Sequence, residues 1–472
     1  MSSRNTQLRL KTLVLAVAAT LLSVPAWSAD RVNVSGLGNN EPVDGFIVTY
    51  RSDGANKASI ATMQRSLDRA ASTAFGRGTA LKLRHERTLG VGADLIGVDR
   101  KLDRVEAETL MRQIAADPDV LAVEANIRMY PTLTPNDSFY NLQYGFQNGV
   151  GGSNANLAWD TGFRGAGKIV AVIDTGYRPH ADLNANVING YDFISNVATA
   201  NDGNGRDSSA LDPGDWSIAG QCGAGQPARN SSWHGTHVAG TVAAVTNNAT
   251  GVAGMAFNSK VLAIRALGRC GGTLADIADA VTWASGGTVA GVPAVGANKA
   301  SVINMSLGGG GSCAGSVMQT AITGAIGRGV VVVVAGGNSN ANVSGFNPAS
   351  CTGAGLLVVG ATDSTGAKAS FSNYGAGVDV AAPGVQIAST LNAGTTIPAA
   401  DNYVYYSGTS MSSPHVAGLV AMMRSKSSVD CTPSACETLI KNNRKAFGVV
   451  PPAATPIGTG IIDALRTINA TP

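Results

Sequence analysis

Ile169-Val170-Ala171-Val172-Ile173-Asp174-Thr175-Gly176 is an unbroken apolar run that ends on a carboxylate and a glycine turn. A run of this kind suits a strand buried on both faces rather than one with a wet side. Similar runs recur at Val261–Arg265, Val302–Met305, Val330–Val334 and Leu356–Val359, and amphipathic stretches lie at Leu274–Ala284, Ser316–Ile326 and Ser413–Arg424. The alternation predicts an α/β, three-layer sandwich with a mostly parallel central sheet. Sites in such sheets form at the carboxyl ends of strands. Asp174 falls there.

Working outward, residues 29–131 differ from the rest: they hold no cysteine and more charge. A strand is expected at Gly45–Tyr50, a helix at Ala58–Ala71, a strand at Leu95–Val98, a helix at Val105–Ala116 and a strand at Leu121–Glu124, giving a small α+β, ferredoxin-like domain. Tyr130-Pro131-Thr132-Leu133-Thr134-Pro135-Asn136-Asp137 then reads as a linker. Residues 132–472 form the larger unit. At the other end, Arg4, Arg9 and Lys11 precede an apolar run from Leu13 to Val24 and small residues at Ala26, Ser28 and Ala29. Residues 1–28 therefore read as a signal peptide and the protein as secreted. The run is shorter than the roughly 20 residues a bilayer span needs, so no membrane anchor is expected.

The chain has 472 residues, of which 44% are hydrophobic and 14% charged, with a net charge of +3. That balance gives no reason to expect a nucleic-acid partner. Six cysteines (Cys222, Cys270, Cys313, Cys351, Cys431 and Cys436) in an exported chain imply three disulfides, and no Cys-x-x-Cys pair suggests a metal instead. Spacing favours only Cys431 with Cys436. The other four stay open, with Cys222–Cys270 and Cys313–Cys351 as the working choice.

Three glycine-flanked segments carry reactive groups: Val172-Ile173-Asp174-Thr175-Gly176, His234-Gly235-Thr236-His237-Val238-Ala239-Gly240 and Gly408-Thr409-Ser410-Met411-Ser412-Ser413-Pro414-His415. A serine hydroxyl is a poor nucleophile at neutral pH; it needs a base within hydrogen-bond reach, and that base needs a third group to fix its tautomer. Asp, His and Ser meet the demand. Their chain order differs from the chymotrypsin and α/β-hydrolase orders, and no Gly-x-Ser-x-Gly elbow surrounds Ser410. Taken singly, Asp174 is explained as a helix cap, His234 as a structural histidine and Ser410 as a turn residue. All three in these flanks are not. His234-x-x-His237 has no adjacent Glu, so it makes a poor zinc helix.

From about Pro135 to the C-terminus the chain resembles the subtilases, secreted serine endopeptidases, with thermitase-like features. The resemblance implies that Asp174 orients the base, His234 is the base and Ser410 attacks the scissile carbonyl. It makes Asn338, in Val334-Ala335-Gly336-Gly337-Asn338, the side-chain oxyanion donor beside the Ser410 N–H. It makes Ser306, Leu307 and Gly308 one wall for an extended peptide and Ala335, Gly336 and Gly337 the other, with a broad preference for apolar or aromatic residues before the cut. Structural Ca²⁺ is implied at Asp137, Asp182 and Asn248 with the carbonyls of Val245, Thr250 and Val252. Residues 29–131 take the place of the family's propeptide, a transient intramolecular chaperone and inhibitor.

A polar insertion bearing Asp202, Asn204, Asp207, Asp212 and Asp215 departs from the simplest subtilases; it reads equally as a second calcium site or as a solvated loop. Partners are protein and peptide substrates, and a monomer is the default. Two alternatives remain: an esterase or ligase on the same acyl-enzyme, and a catalytically inactive secreted binding or adhesion protein on this scaffold. An intact triad argues against the second.

Overall fold

In a computed structural model, residues 31–37, 42–75, 81–127, 133–426 and 431–472 are described. The expected leader at 1–28 and linker residues 130–132 lie outside them. The chain divides into two compact units, the first ending at Ile127.

In the first unit, strands β1 (Val32–Asn33), β2 (Val43–Tyr50), β3 (Leu83–Thr88), β4 (Asp94–Leu102) and β5 (Val120–Ala125) form one sheet in the order β1-β5-β2-β4-β3. Helices α1 (Ile60–Phe75) and α2 (Arg104–Ala115) complete a βαββαβ unit whose four main strands run antiparallel, the ferredoxin-like arrangement. Phe46, Val48, Leu67, Ile96, Leu110 and Val123 fill its core. A capping box fixes the start of α2, because Asp103 accepts from the Glu106 N–H at 2.8 Å and Glu106 accepts from the Asp103 N–H at 3.2 Å. Sequence reading did not foresee β3, Leu83-Arg84-His85-Glu86-Arg87-Thr88. Only Leu83 of it is buried, since an edge strand needs one partner and little apolar surface.

The second unit holds a seven-stranded parallel sheet. Its strands are β6 (Ile169–Asp174), β7 (Val187–Asp192), β8 (Lys260–Arg265), β9 (Val302–Met305), β10 (Val331–Ala335), β11 (Leu356–Thr362) and β12 (Val380–Pro383), in the order β12-β11-β10-β9-β6-β8-β7. Alternate residues face opposite ways. Val170, Val172, Val331, Val333 and Leu357 pack with α3 (His234–Ala243) and α6 (Thr409–Lys426), while Ala171, Ile173, Ile264, Ile303 and Val332 pack with α4 (Leu274–Ala284) and α5 (Val317–Gly327). Burial on both faces explains the continuous apolar runs.

A hairpin of β13 (Ile387–Asn392) and β14 (Asp401–Tyr406), with helices α7 (Pro433–Asn442) and α8 (Ala464–Ala470), completes the unit. β7, β13 and β14 were not foreseen, because they lie at a sheet edge or in the hairpin and mix polar with apolar residues, and neither was β12, whose Val-Ala-Ala-Pro is only four residues long and ends in a proline. The three disulfides are Cys222–Cys270, Cys313–Cys351 and Cys431–Cys436. Among the described residues no helix is long and apolar enough to cross a membrane.

The chain enters this sheet at β6, adds β7 and β8 on one side, then β9 to β12 on the other. The reversal beside β6 opens a crevice at the strands' carboxyl ends. Asp174, Ser306 and Asn338 are the residues that end or follow β6, β9 and β10.

Leu357 is fully buried in β11, whereas Val317 is 57% exposed at the start of α5. Leu357→Ala is expected to destabilise the second unit by about 3 kcal/mol and Val317→Ala to leave it unchanged, read by urea unfolding of Ser410→Ala protein so that autolysis cannot interfere.

Candidate active site

Asp174 ends β6 at 0% exposure, held between β8 and β9. Its Oδ1 accepts the Thr175 N–H at 2.8 Å, and both oxygens face His234 Nδ1, at 2.8 and 3.0 Å. This contact makes Nδ1 the protonated nitrogen and leaves Nε2 free to accept. His234 is the first residue of α3. To bring it there, the backbones of the two motifs touch: a Cβ on Gly235 would lie 2.1 Å from the Gly176 carbonyl oxygen. Just before His234, Trp233 takes a left-handed φ of +47°, rare for so bulky a residue. Its indole N–H donates to the Gly394 carbonyl at 2.6 Å, and the Tyr406 hydroxyl donates to the Ser232 carbonyl at 2.8 Å. Tertiary contacts thus hold the strained residue in place.

Ser410 lies in the first turn of α6, which begins at Thr409 rather than at the expected Ser413. First-turn N–H groups have no acceptor within the helix, so the Ser410 amide is available to a ligand. Pro414 therefore sits inside the helix and cannot donate to the Ser410 carbonyl one turn back. The Ser306 hydroxyl supplies that hydrogen bond instead, at 2.8 Å, and also meets Ser413 Oγ at 2.8 Å. Ser306 thereby ties the end of β9 to α6. In this rotamer the Ser410 hydroxyl donates to the Ser306 carbonyl at 3.1 Å and forms no hydrogen bond with His234.

Asn338 is exposed. Its Oδ1 accepts from Thr409 twice, from the N–H at 2.8 Å and the hydroxyl at 2.9 Å, which leaves its NH₂ to face outward. A Cβ on Gly408 would lie 3.2 Å from Asn338 Nδ2 and 3.6 Å from the Ser410 nitrogen, so both donors flank one spot. Thr409, which aims Asn338, was missed in the sequence because a Gly-Thr-Ser turn carries no mark of it.

Burial presses the proton affinity of His234 down, but the charge and hydrogen bond of Asp174, with Asp215 and Asp212 behind, more than offset it, and its pKa lies above the ordinary histidine value. The other motif histidines behave oppositely. Burial drives His237 down to about 3 and His415 to about 4, so both stay neutral as packing groups.

His234 and Ser306 line an open cavity of about 400 Å³ with Asp215, Arg229 and Ser232. A second cavity of about 420 Å³ is lined by Leu267, Leu274, Ile277, Leu307, Gly308 and Met318, among others. Ser306 is buried, whereas Gly308 is exposed; Ala335 and Gly336 are buried and Gly337 is partly so.

The segments expected to hold an ion lie against one another. Asp182 accepts from the Val252 N–H at 2.9 Å and the Asn248 amide at 2.7 Å, its carbonyl accepts from the Val245 N–H at 2.7 Å, and Asp137 accepts from the Asn247 N–H at 2.8 Å. Asn248 Oδ1 accepts from the Thr250 N–H at 2.8 Å. Asp137 Oδ1 is buried without a partner. Burial raises both carboxyls, Asp182 to about 6 with help from Asp137. Two crowded carboxylates, one with an orphaned oxygen, amid amide and carbonyl oxygens are a donor set that fits a hard cation.

No cluster of three or more His, Cys, Asp or Glu side chains suited to a metal occurs among the described residues. In the insertion the carboxylates are dispersed: Asp202 pairs with Arg265, Asp207 with Asn204, and Asp215 with Ser232. The arrangement favours the loop over a second ion site.

Residues 165–458 match the subtilase family, peptidase S8. An extracellular protease of Xanthomonas campestris pv. campestris is 54% identical over 457 residues, 96% of this chain and 77% of that one. An extracellular basic protease of Dichelobacter nodosus is 43% identical over 391 residues, 81% of this chain and 64% of that one. A solved protease structure from Pseudoalteromonas arctica, 50% identical, superposes with a TM-score of 0.69 and covers 72% of this chain and all of that one. With fold, site and relatives in agreement, this chain belongs to the subtilase family of serine endopeptidases.

Proposed function

We propose that the protein is a secreted endopeptidase that cuts proteins through an acyl-enzyme on Ser410. The observation that carries this reading is the buried Asp174–His234 pair, with Nε2 free, at the same strand-end crevice as Ser410 and Asn338. Ser410 Oγ attacks the peptide carbonyl as its proton passes to His234 Nε2. Asp174 keeps the imidazole in the right tautomer and stabilises the imidazolium. Asn338 Nδ2 and the Ser410 N–H stabilise the oxyanion, and His234 then protonates the leaving amine.

Extended substrate pairs with Ser306-Leu307-Gly308 on one side and Ala335-Gly336-Gly337 on the other. The apolar cavity beside Leu307 supports a broad preference for apolar and aromatic side chains. Residues 1–28 serve as the export signal and residues 29–131 as the inhibitory and chaperone segment, with 132–472 catalytic; the extracellular names of two relatives support export. The mature enzyme acts as a monomer. Ca²⁺ is held by Asp137, Asp182 and Asn248 with the carbonyls of Val245, Thr250 and Val252. It supplies positive charge that relieves the repulsion between the two carboxylates and fastens the loop.

Ser410→Ala is expected to abolish hydrolysis of casein and of an aromatic p-nitroanilide peptide. Asn338→Ala should lower kcat by about a hundredfold to a thousandfold with little change in KM. Full activity in Ser410→Ala protein would point to a different nucleophile, whereas no activity in fully processed, oxidised wild-type protein would bring the inactive-scaffold reading to the front.

His234 must be neutral to accept the proton, and its pKa is raised. The rate kcat/KM should therefore fall with decreasing pH along a limb centred above the ordinary histidine value of about 6.5, measured on the p-nitroanilide peptide. Chelation should leave folded activity at low temperature but speed thermal inactivation, and Asp137→Asn should remove most of that calcium dependence. Identical half-lives with and without chelator would refute the ion site.

A further inference from the structure

The segment between β7 and α3 is more than a loop pinned by Cys222–Cys270. Leu211 pairs with Tyr177, and the Asp212 N–H donates to the Tyr177 carbonyl at 2.9 Å. This seats the segment against the turn that follows Asp174, so closely that a Cβ on Gly176 would lie 2.3 Å from the Ala210 carbonyl oxygen. The Asp212 carboxyl is 1% exposed. One of its oxygens accepts from the Gly214 N–H at 2.8 Å, and the other is buried without a hydrogen-bond partner.

Three residues on, Asp215 accepts from Ser232 twice, from the N–H at 2.6 Å and the hydroxyl at 2.8 Å. Ser232 Oγ in turn accepts the His234 N–H at 3.3 Å. Asp215 thus clasps the residues just before the base and shares a cavity with it. A clasp explains Asp215. It does not explain a second carboxyl kept dry, with an unmatched oxygen, against the same turn.

We propose that Asp212 and Asp215 are positioning residues for His234, a second acidic wall that holds its segment and stabilises the imidazolium as it forms. The proposal rests on the reading of His234 as the base. Asp174 faces the imidazole from β6, while Asp215 and Asp212 add negative charge from the insertion, and all three favour the cation. Opposing charge is limited. Arg265 on β8 is engaged by Asp192 and Asp202, Arg178 donates to the Asp212 carbonyl at 3.2 Å, and Arg229 lines the cavity. His237 on α3 is held neutral by burial. Burial, reinforced by Asp215, pushes Asp212 up to about 7. A charge in a dry site also acts over a longer range than one in water.

Asp212→Asn and Asp215→Asn keep shape and remove charge, whereas Ser232→Ala removes the hydroxyl that bridges Asp215 to the His234 N–H, leaves the backbone half of the clasp and keeps both charges. Each is combined with Ser410→Ala, and the His234 Cε1–H resonance is titrated by NMR. The midpoint should fall by about 0.5 pH unit or more in each Asn variant and further in the double variant, while Ser232→Ala leaves it in place. With Ser410 restored, the acid limb of kcat/KM should follow, with KM little changed.

An unmoved midpoint in folded Asp215→Asn overturns the proposal, as does an equal fall in Ser232→Ala. Asp215 is only half-buried, so its variant decides the matter even if Asp212→Asn fails to fold. Activity persisting in Ser410→Ala would overturn the nucleophile assignment instead, and the His234 midpoint would still report on the acidic wall.

Discussion

The hydrogen bond between Asp174 and His234 is made at 0% exposure of the carboxylate. Removing a carboxylate from water costs several kcal/mol even after relaxation, so it persists only where donors are already in place. Here one donor is the next backbone N–H and the other is the imidazole. The strand cannot move, because β8 and β9 grip it on both sides. The helix must therefore come to the strand. That requirement explains the absence of a side chain at Gly235, whose Cβ would strike the Gly176 carbonyl, and the left-handed Trp233, which turns the chain into α3.

The same logic governs α6, where a proline one turn after Ser410 leaves a carbonyl without its helical donor. Ser306 fills the vacancy from a neighbouring strand end. A defect in the helix ladder thus becomes a bond between the end of β9 and the turn that carries Ser410. Thr409 makes a comparable link to Asn338 from the other side. Two side chains, Ser306 and Thr409, fix where Ser410 and Asn338 stand relative to the sheet.

Much of this was legible in the sequence, and the reason is physical. Strands buried on both faces must be apolar throughout, so Ile169–Asp174 and Val302–Met305 announced themselves. Motif residues at strand ends were legible because Gly-flanked Asp, His and Ser have few other uses together. Edge elements were not. β3 is mostly charged, β7 carries Asn189 and Gly190, and β14 is half polar; their pairing is decided by neighbours far along the chain. The start of α6 was misplaced for a related reason, since Pro414 reads as a first-turn residue unless Ser306 is known to rescue the carbonyl behind it. Asp212 and Asp215 were visible only as loop carboxylates, because nothing local tells a dry aspartate from a wet one.

Unsatisfied groups also have a pattern. Asp137 Oδ1, Asp212 Oδ2 and His237 Nδ1 are all buried without partners. An orphan of this kind costs about 1–3 kcal/mol, so a small domain could not hold many. A seven-stranded sheet with two apolar layers has stability in reserve, and these orphans sit in the loop over Asp182, beside the Asp174 turn and one helical turn past His234. At His237 the cost is the more tolerable because Nε2 meets two carbonyls, of Ile387 and Val404, which holds the ring against Tyr406, whose hydroxyl in turn holds Ser232. A buried neutral histidine therefore braces the segment that carries the one paired with Asp174. The division of labour between the two histidines of one motif follows from which of them has a carboxylate to face.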